Sequence, residues 1–193
     1  MTDRTKLRRR SQRGSHDRSV IEAILDEALV CHVACTTPHC TIVLPTAHVR
    51  VNDRLFIHGA TANGLLRALA DGADACVAVT LLDALVLAKS AFHHSVNYRS
   101  VVLFGRGEVI TDDATKRRAL DALLDKMAPE RSTRCRPPTE AELGATLVIA
   151  FPIDEASAKI RTGPPIDDAE DQALPHWAGL IPLVTTRGAP VDA

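Results

Sequence analysis

Residues 55–67 read Leu55-Phe56-Ile57-His58-Gly59-Ala60-Thr61-Ala62-Asn63-Gly64-Leu65-Leu66-Arg67, an apolar strand, a turn of small residues and the start of a helix. Leu65, Leu66 and Leu69 recur at helical spacing over residues 62–70, and Gly72 ends that helix. Working back, Asn52-Asp53 makes a compact hairpin turn into an earlier run, Thr41 to Val51. Pro45 within that run predicts an edge position or a bulge, because proline cannot donate to a ladder. Before the Thr37-Pro38-His39 turn, Leu29 to Thr36 forms another strand with Cys31, Val33 and Cys35 on one face. A helix opens the ordered chain near Asp17, capped by Asp17 or Ser19, with Val20, Ile21, Ile24, Leu25 and Ala28 at helical spacing.

Working forward, Ala75 to Leu82 and Leu85 to Ala91 are apolar runs separated by Asp83, and they predict two buried strands. A polar connection, His93 to Asn97, leads into a long strand from Tyr98 to Ile110. Asp112 to Met127 is a helix with Leu120, Leu123, Leu124 and Met127 as its stripe. After a Pro/Arg-rich loop, Thr146 to Ile153 and Ala156 to Arg161 add strands. Short links predominate, so the fold class is mainly β with α, an antiparallel α+β sheet closing toward a barrel with short flanking helices. We expect residues 1–14 to be a disordered basic tail, 15–162 a single domain, and 163–193 a Pro- and Asp-rich surface strap.

Composition narrows the function classes. The 23 basic and 24 acidic residues nearly cancel, which gives no global attraction to nucleic acid or membrane. Aromatics are only 3% of the chain, so the core is aliphatic and little material exists for stacking on single-stranded nucleic acid. Lys6, Arg8, Arg9, Arg10 and Arg13 are followed by no apolar segment at signal-peptide spacing, and no run approaches the ~20 apolar residues of a membrane span. Cys31, Cys35, Cys40, Cys76 and Cys135 are odd in number and scattered, which fits a reducing, cytoplasmic compartment. Cys31, Cys35 and Cys40 with His32 and His39 lack zinc spacing, and no metal site is expected.

Two segments carry chemistry. The strand–turn–helix at His58, Gly59, Ala60, Thr61, Asn63 and Gly64 offers free backbone N–H groups to a phosphate, with Arg67 one turn in. The same residues also suit an ordinary turn in which Thr61 or Asn63 is a simple cap. The second segment, Lys89 to Gly105, sets His93, His94, Tyr98 and Arg99 between two apolar strands, as hydrogen-bond donors for a ring or a phosphate. It also suits a solvated hairpin loop followed by an edge-strand arginine.

The run Leu85 to Val101, above all His93-His94-Ser95-Val96-Asn97-Tyr98-Arg99-Ser100-Val101, resembles the flavin-nucleotide-binding, nitroimidazole-resistance-related branch of the pyridoxamine 5'-phosphate oxidase-like superfamily. His58-Gly59-Ala60, Ser157 to Pro165, Trp177-Ala178-Gly179 and Ile181-Pro182-Leu183 are similar to the same branch, in order. The resemblance implies an FMN-binding split β-barrel, working as a homodimer with flavin at the subunit interface. It implies Gly59 to Gly64 around the phosphate, Lys89 and Ser90 beside the ribityl chain or the ring edge, and Tyr98, Arg99, Ser100 and Val101 along the isoalloxazine. His93, His94 and Trp177 are candidates for a substrate pocket. Arg99-Ser100-Val101 stands where the oxidases have Arg-Gln-Val, and Asn63-Gly64-Leu65 where they have a Ser-Arg-Lys cluster, which argues against pyridoxamine phosphate as substrate.

The expected function is a flavin-dependent oxidoreductase acting on a small organic molecule, with NAD(P)H or a deazaflavin as electron donor. FMN is the expected flavin and FAD the alternative. Flavin storage without dedicated catalysis, and haem binding through His93, His94 or His176, are the competing readings. No catalytic acid or base is identified.

Overall fold

The structure, a computed structural model, describes residues 2–192. Its strands are β1 (Gly14–Ser15), β2 (Val30–Thr36), β3 (Thr41–Val51), β4 (Arg54–Ala60), β5 (Asp74–Leu87), β6 (Ser95–Arg106), β7 (Glu108–Val109), β8 (Thr146–Pro152), β9 (Ala156–Arg161) and β10 (Gly179–Pro182). The helices are α1 (Arg18–Glu27), α2 (Gly64–Ala70), α3 (Asp113–Met127) and α4 (Glu140–Ala145). The antiparallel path runs β1-β9-β6-β5-β2-β3-β4-β8-β7, with β10 laid along β5. The sheet curls over its core as a split barrel but does not close; its ladder ends at β1 and β7.

β3 joins the two halves. Its first half pairs only with β2, from Thr41 to Ala47, and its second half pairs with β4, from His48 to Val51. Pro45 therefore sits where β3 has one neighbour, and its missing N–H leaves no second ladder broken. α1 supplies Ile21, Ile24 and Leu25 to the main core, where they meet Val33, Val77 and Phe151. α3 covers the opposite face of the second half through Ala119 and Leu123 against Val49, Phe56 and Val148.

Four expectations are corrected. The runs around Asp83 form one strand rather than two, because a register shift between Leu82 and Ala84 absorbs Asp83 as a bulge. The strand also ends at Leu87 rather than Ala91, since Ala91 to His93 form a 3-10 turn. The Pro/Arg-rich loop contains α4, whose capping box pairs Thr139 with Glu142. The arginine-rich start, expected as a disordered tail, is held against the sheet. Arg4 meets the carboxylates of Asp74 and Glu155, Thr5 is buried, and Gly14–Ser15 pair with Lys159 and Ala158. Carboxylates and a free strand edge were waiting for that segment, and composition alone does not reveal either.

Candidate functional site

The turn after β4 behaves first as architecture. Gly59 pairs with Leu147 on β8, and a Cβ placed on it would lie 2.9 Å from Leu66 Cδ1, so this glycine lets α2 pack on the strand. Asn63 caps α2: its side-chain oxygen accepts from Leu66 N at 3.1 Å, and its own N–H donates to Ala60 O at 2.9 Å. Thr61 N donates to Ala145 O. Ala60, Thr61 and Gly64 are exposed, and Arg67 is exposed with no ion pair among the described residues. His58 is half-buried beside Val148, its Nδ1 has no hydrogen-bond partner, and burial depresses its pKa.

The second segment divides by strand alternation. Val101 is 1% exposed, and its side chain packs in the core beside Val79 and Leu103. Tyr98 and Ser100 pair with Leu82 and Thr80 on β5, on the face opposite Val101. Ser100 Oγ donates to Lys159 O at 3.2 Å. Arg99 is clamped: it bonds both oxygens of Asp83 from Nε at 3.1 and 3.2 Å, and its outer nitrogens reach Glu27 at the end of α1. Those bonds raise the pKa of Arg99 and lower that of Glu27.

Lys89 and Ser90 fasten the C-terminal strap. Their backbone N–H groups donate to the Asp167 carboxylate at 3.1 and 3.0 Å, and Lys89 Nζ donates to Gln172 O and Leu174 O, both at 2.6 Å. His93 Nε2 lies 3.1 Å from Asp168, and its ligand atom, with those of Asp168 and Asp171, falls within a 4.8 Å cluster. His94 Nδ1 donates to Ser90 O at 3.0 Å and leaves Nε2 free. Trp177 is 64% exposed and lies against Gly179 at the start of β10.

A groove of about 810 Å³ opens between the end of α1, the Asp83 bulge and the strap. Its walls include Glu27, Val30, Leu82, Asp83, Arg99 and, from the strap, Val184 and Arg187. The structure thus brings Arg99 to a groove and sets Tyr98 beside its Leu82 wall, while His58 to Arg67 belong to the other half of the sheet. Sequence reasoning missed Glu27, Asp83, Val184 and Arg187. Asp83 alone carried a signal, as the charge interrupting an apolar run. Among the described residues no helix is long and apolar enough to cross a membrane.

The family model described as pyridoxamine 5'-phosphate oxidase matches residues 17–160. The chain is similar to the flavocytochrome Anf3 from Azotobacter vinelandii, at 41% identity and TM-score 0.93, covering 100% of this chain and 89% of that one. It is also similar to an FAD and haem binding protein from Mycobacterium smegmatis, at 45% identity and TM-score 0.89, covering 94% of this chain and 89% of that one. A structure described as a 5-nitroimidazole antibiotic resistance protein from Bacteroides thetaiotaomicron shares the fold at 23% identity and TM-score 0.65, covering 76% of this chain and 86% of that one. No curated protein matches.

Proposed function

Because the chain belongs to the pyridoxamine 5'-phosphate oxidase family, we propose that it is a flavin-binding oxidoreductase that works as a homodimer on a small organic substrate. The observation that carries this reading is the groove at Arg99. About 810 Å³ is within the range of small-molecule sites, and the groove combines apolar walls with Arg187 and with Arg99, which Glu27 and Asp83 hold in a fixed orientation. Bound flavin supplies the hydride and electron transfer, and this chain's residues bind and orient it. Leu82 and Val184 offer apolar walls.

The homodimer is supported by exposed apolar side chains at the groove: Val30 at 47%, Leu82 at 55% and Val184 at 78%. The turn at Gly59 to Arg67 and the groove at Arg99 lie on different halves of one chain's sheet. A dimer is the arrangement that would let one protomer's turn complete its partner's groove. FMN is the flavin expected from the sequence. A similar protein's description names FAD, and the groove's size suits the larger nucleotide, so FAD is the form we propose. Mixing the flavin-loaded protein with NADH or NADPH under anaerobic conditions tests the enzyme reading. Rapid bleaching of the flavin supports it, and flavin that stays oxidised with both donors supports a storage protein instead.

His94 favours haem as a second cofactor, in line with the relative described as binding FAD and haem. Its Nδ1–H is fixed by Ser90 O, which orients the ring and leaves Nε2 as the nitrogen that would hold the haem iron, and the neighbouring Phe92 is 89% exposed. Haem would supply one-electron chemistry beside the flavin. A Soret band on haem addition that His94→Ala abolishes supports this reading; an unchanged band in the variant removes His94 from it.

A further inference from the structure

Arg161 ends β9 and is 6% exposed. Its Nη1 donates to Asn97 Oδ1, and the Asn97 amide donates in turn to Gly163 O at 3.1 Å, so the guanidinium is held in place. Among the described residues, no carboxylate forms an ion pair with it, whereas Arg4, Arg50 and Arg99 each have one. A buried cation without a counter-ion is expensive to keep in a folded protein, and such charges are ordinarily paired or ligand-bound.

Its neighbours add positive charge. The β1–β9 register sets Gly14 opposite Lys159, which brings Arg13 alongside the end of β9. Lys159 stands two residues before Arg161 on the same strand. Neither Arg13 nor Lys159 makes an ion pair among the described residues. Burial first, and then the charge of Arg13, depress the pKa of Arg161. Tyr98 lies directly across the ladder from Arg161 and brings a hydroxyl.

We propose that Arg161, with Arg13 and Tyr98, forms a binding site for a phosphate or pyrophosphate group. A planar guanidinium fixed at one nitrogen presents its remaining N–H groups as a fork to phosphate oxygens. The bound dianion supplies the missing counter-charge. The group belongs to a flavin nucleotide or to a nicotinamide nucleotide, and the flavin assignment rests on the flavin-binding reading above. The Asn63 amide, offered by the sequence as a phosphate ligand, is occupied as a helix cap.

The test is thermal unfolding of the full chain titrated with inorganic phosphate and pyrophosphate, with chloride at matched ionic strength as control. The wild type should gain stability saturably with pyrophosphate. Arg161→Gln should weaken that response about tenfold or more, the loss of a charge-assisted bond pair, and Arg13→Gln less so. Arg13 is outside the core, so Arg13→Gln keeps the test open if Arg161→Gln fails to fold. Pyrophosphate without effect on the wild type, or acting equally on wild type and both variants, overturns the site. The source is then read from riboflavin, FMN, FAD and NADPH affinities. A selective loss of FMN and FAD over riboflavin in the variants identifies the flavin phosphate, and a selective loss of NADPH identifies the nicotinamide nucleotide. A chain that binds no flavin at all overturns the flavin reading, while the pyrophosphate titration still decides the anion site.

Discussion

His48 is fully buried at the start of the second half of β3, where Leu25 O accepts from its Nε2 at 2.9 Å. The same carbonyl accepts from Lys126 Nζ at 2.8 Å, and His48 Nδ1 has no partner. Burial first, and then the Lys126 charge, push the His48 pKa down to about 4. The unfolded chain takes up this proton below about pH 6.5 and the folded chain does not, so stability falls as pH drops from 6.5 toward 4. Chemical denaturation should show a loss of about 2 kcal/mol between pH 7 and pH 5 from this group, and a smaller loss in His48→Gln. An equal loss in the variant would place the titration elsewhere. Arg99 gives the converse case. Arg99→Ala leaves Glu27 and Asp83 without their shared cation, and these half-exposed pairs are screened by solvent. The expected cost is about 1–2 kcal/mol near neutral pH, shrinking below pH 4.5 as Glu27, whose pKa the pair with Arg99 lowers, takes up its proton.

Among the elements, β4–turn–α2 separates two glycines that the sequence presented together. A Cβ at Gly59 meets Leu66 Cδ1 at 2.9 Å, whereas one at Gly64 meets nothing within 4 Å. Gly59→Val should therefore destabilise the fold by about 1–3 kcal/mol through overpacking. Gly64→Ala should be neutral or stabilising by about 0.5 kcal/mol. Equilibrium unfolding of the two variants checks both, and equal destabilisation would mean the turn is limited by something other than packing. The alternation of β2, the edge position of Pro45 and the limits of α3 were legible in the sequence because each depends on neighbouring residues alone. The unbroken β5 was not, since whether one charged residue makes a turn or a bulge depends on β6 beside it. The Thr139–Glu142 signature of α4 was present and was masked by the surrounding proline and arginine. The burial of the Val101 side chain was not legible either, because its facing depends on strand register, which the motif resemblance does not carry.

At the scale of the whole molecule, the sequence disclosed the family fold and the loop at Lys89 to Arg99, but not the groove. That groove is made by segments far apart in the chain: Glu27 ends α1, Asp83 bulges from β5, and Val184 and Arg187 arrive with the strap. The strap is bound by four β10–β5 residue pairs and by the bonds from Lys89 and Ser90. Removing residues 163–193 should lower the melting temperature and speed flavin loss; a truncated chain that retains flavin as well as the full one would show that the strap is no wall of the site. The most direct measurement is the absorbance spectrum and molar mass of the protein reconstituted with FAD and passed through size-exclusion chromatography with light scattering. The account predicts a dimer carrying one flavin per protomer, and a monomer that elutes free of flavin would contradict it.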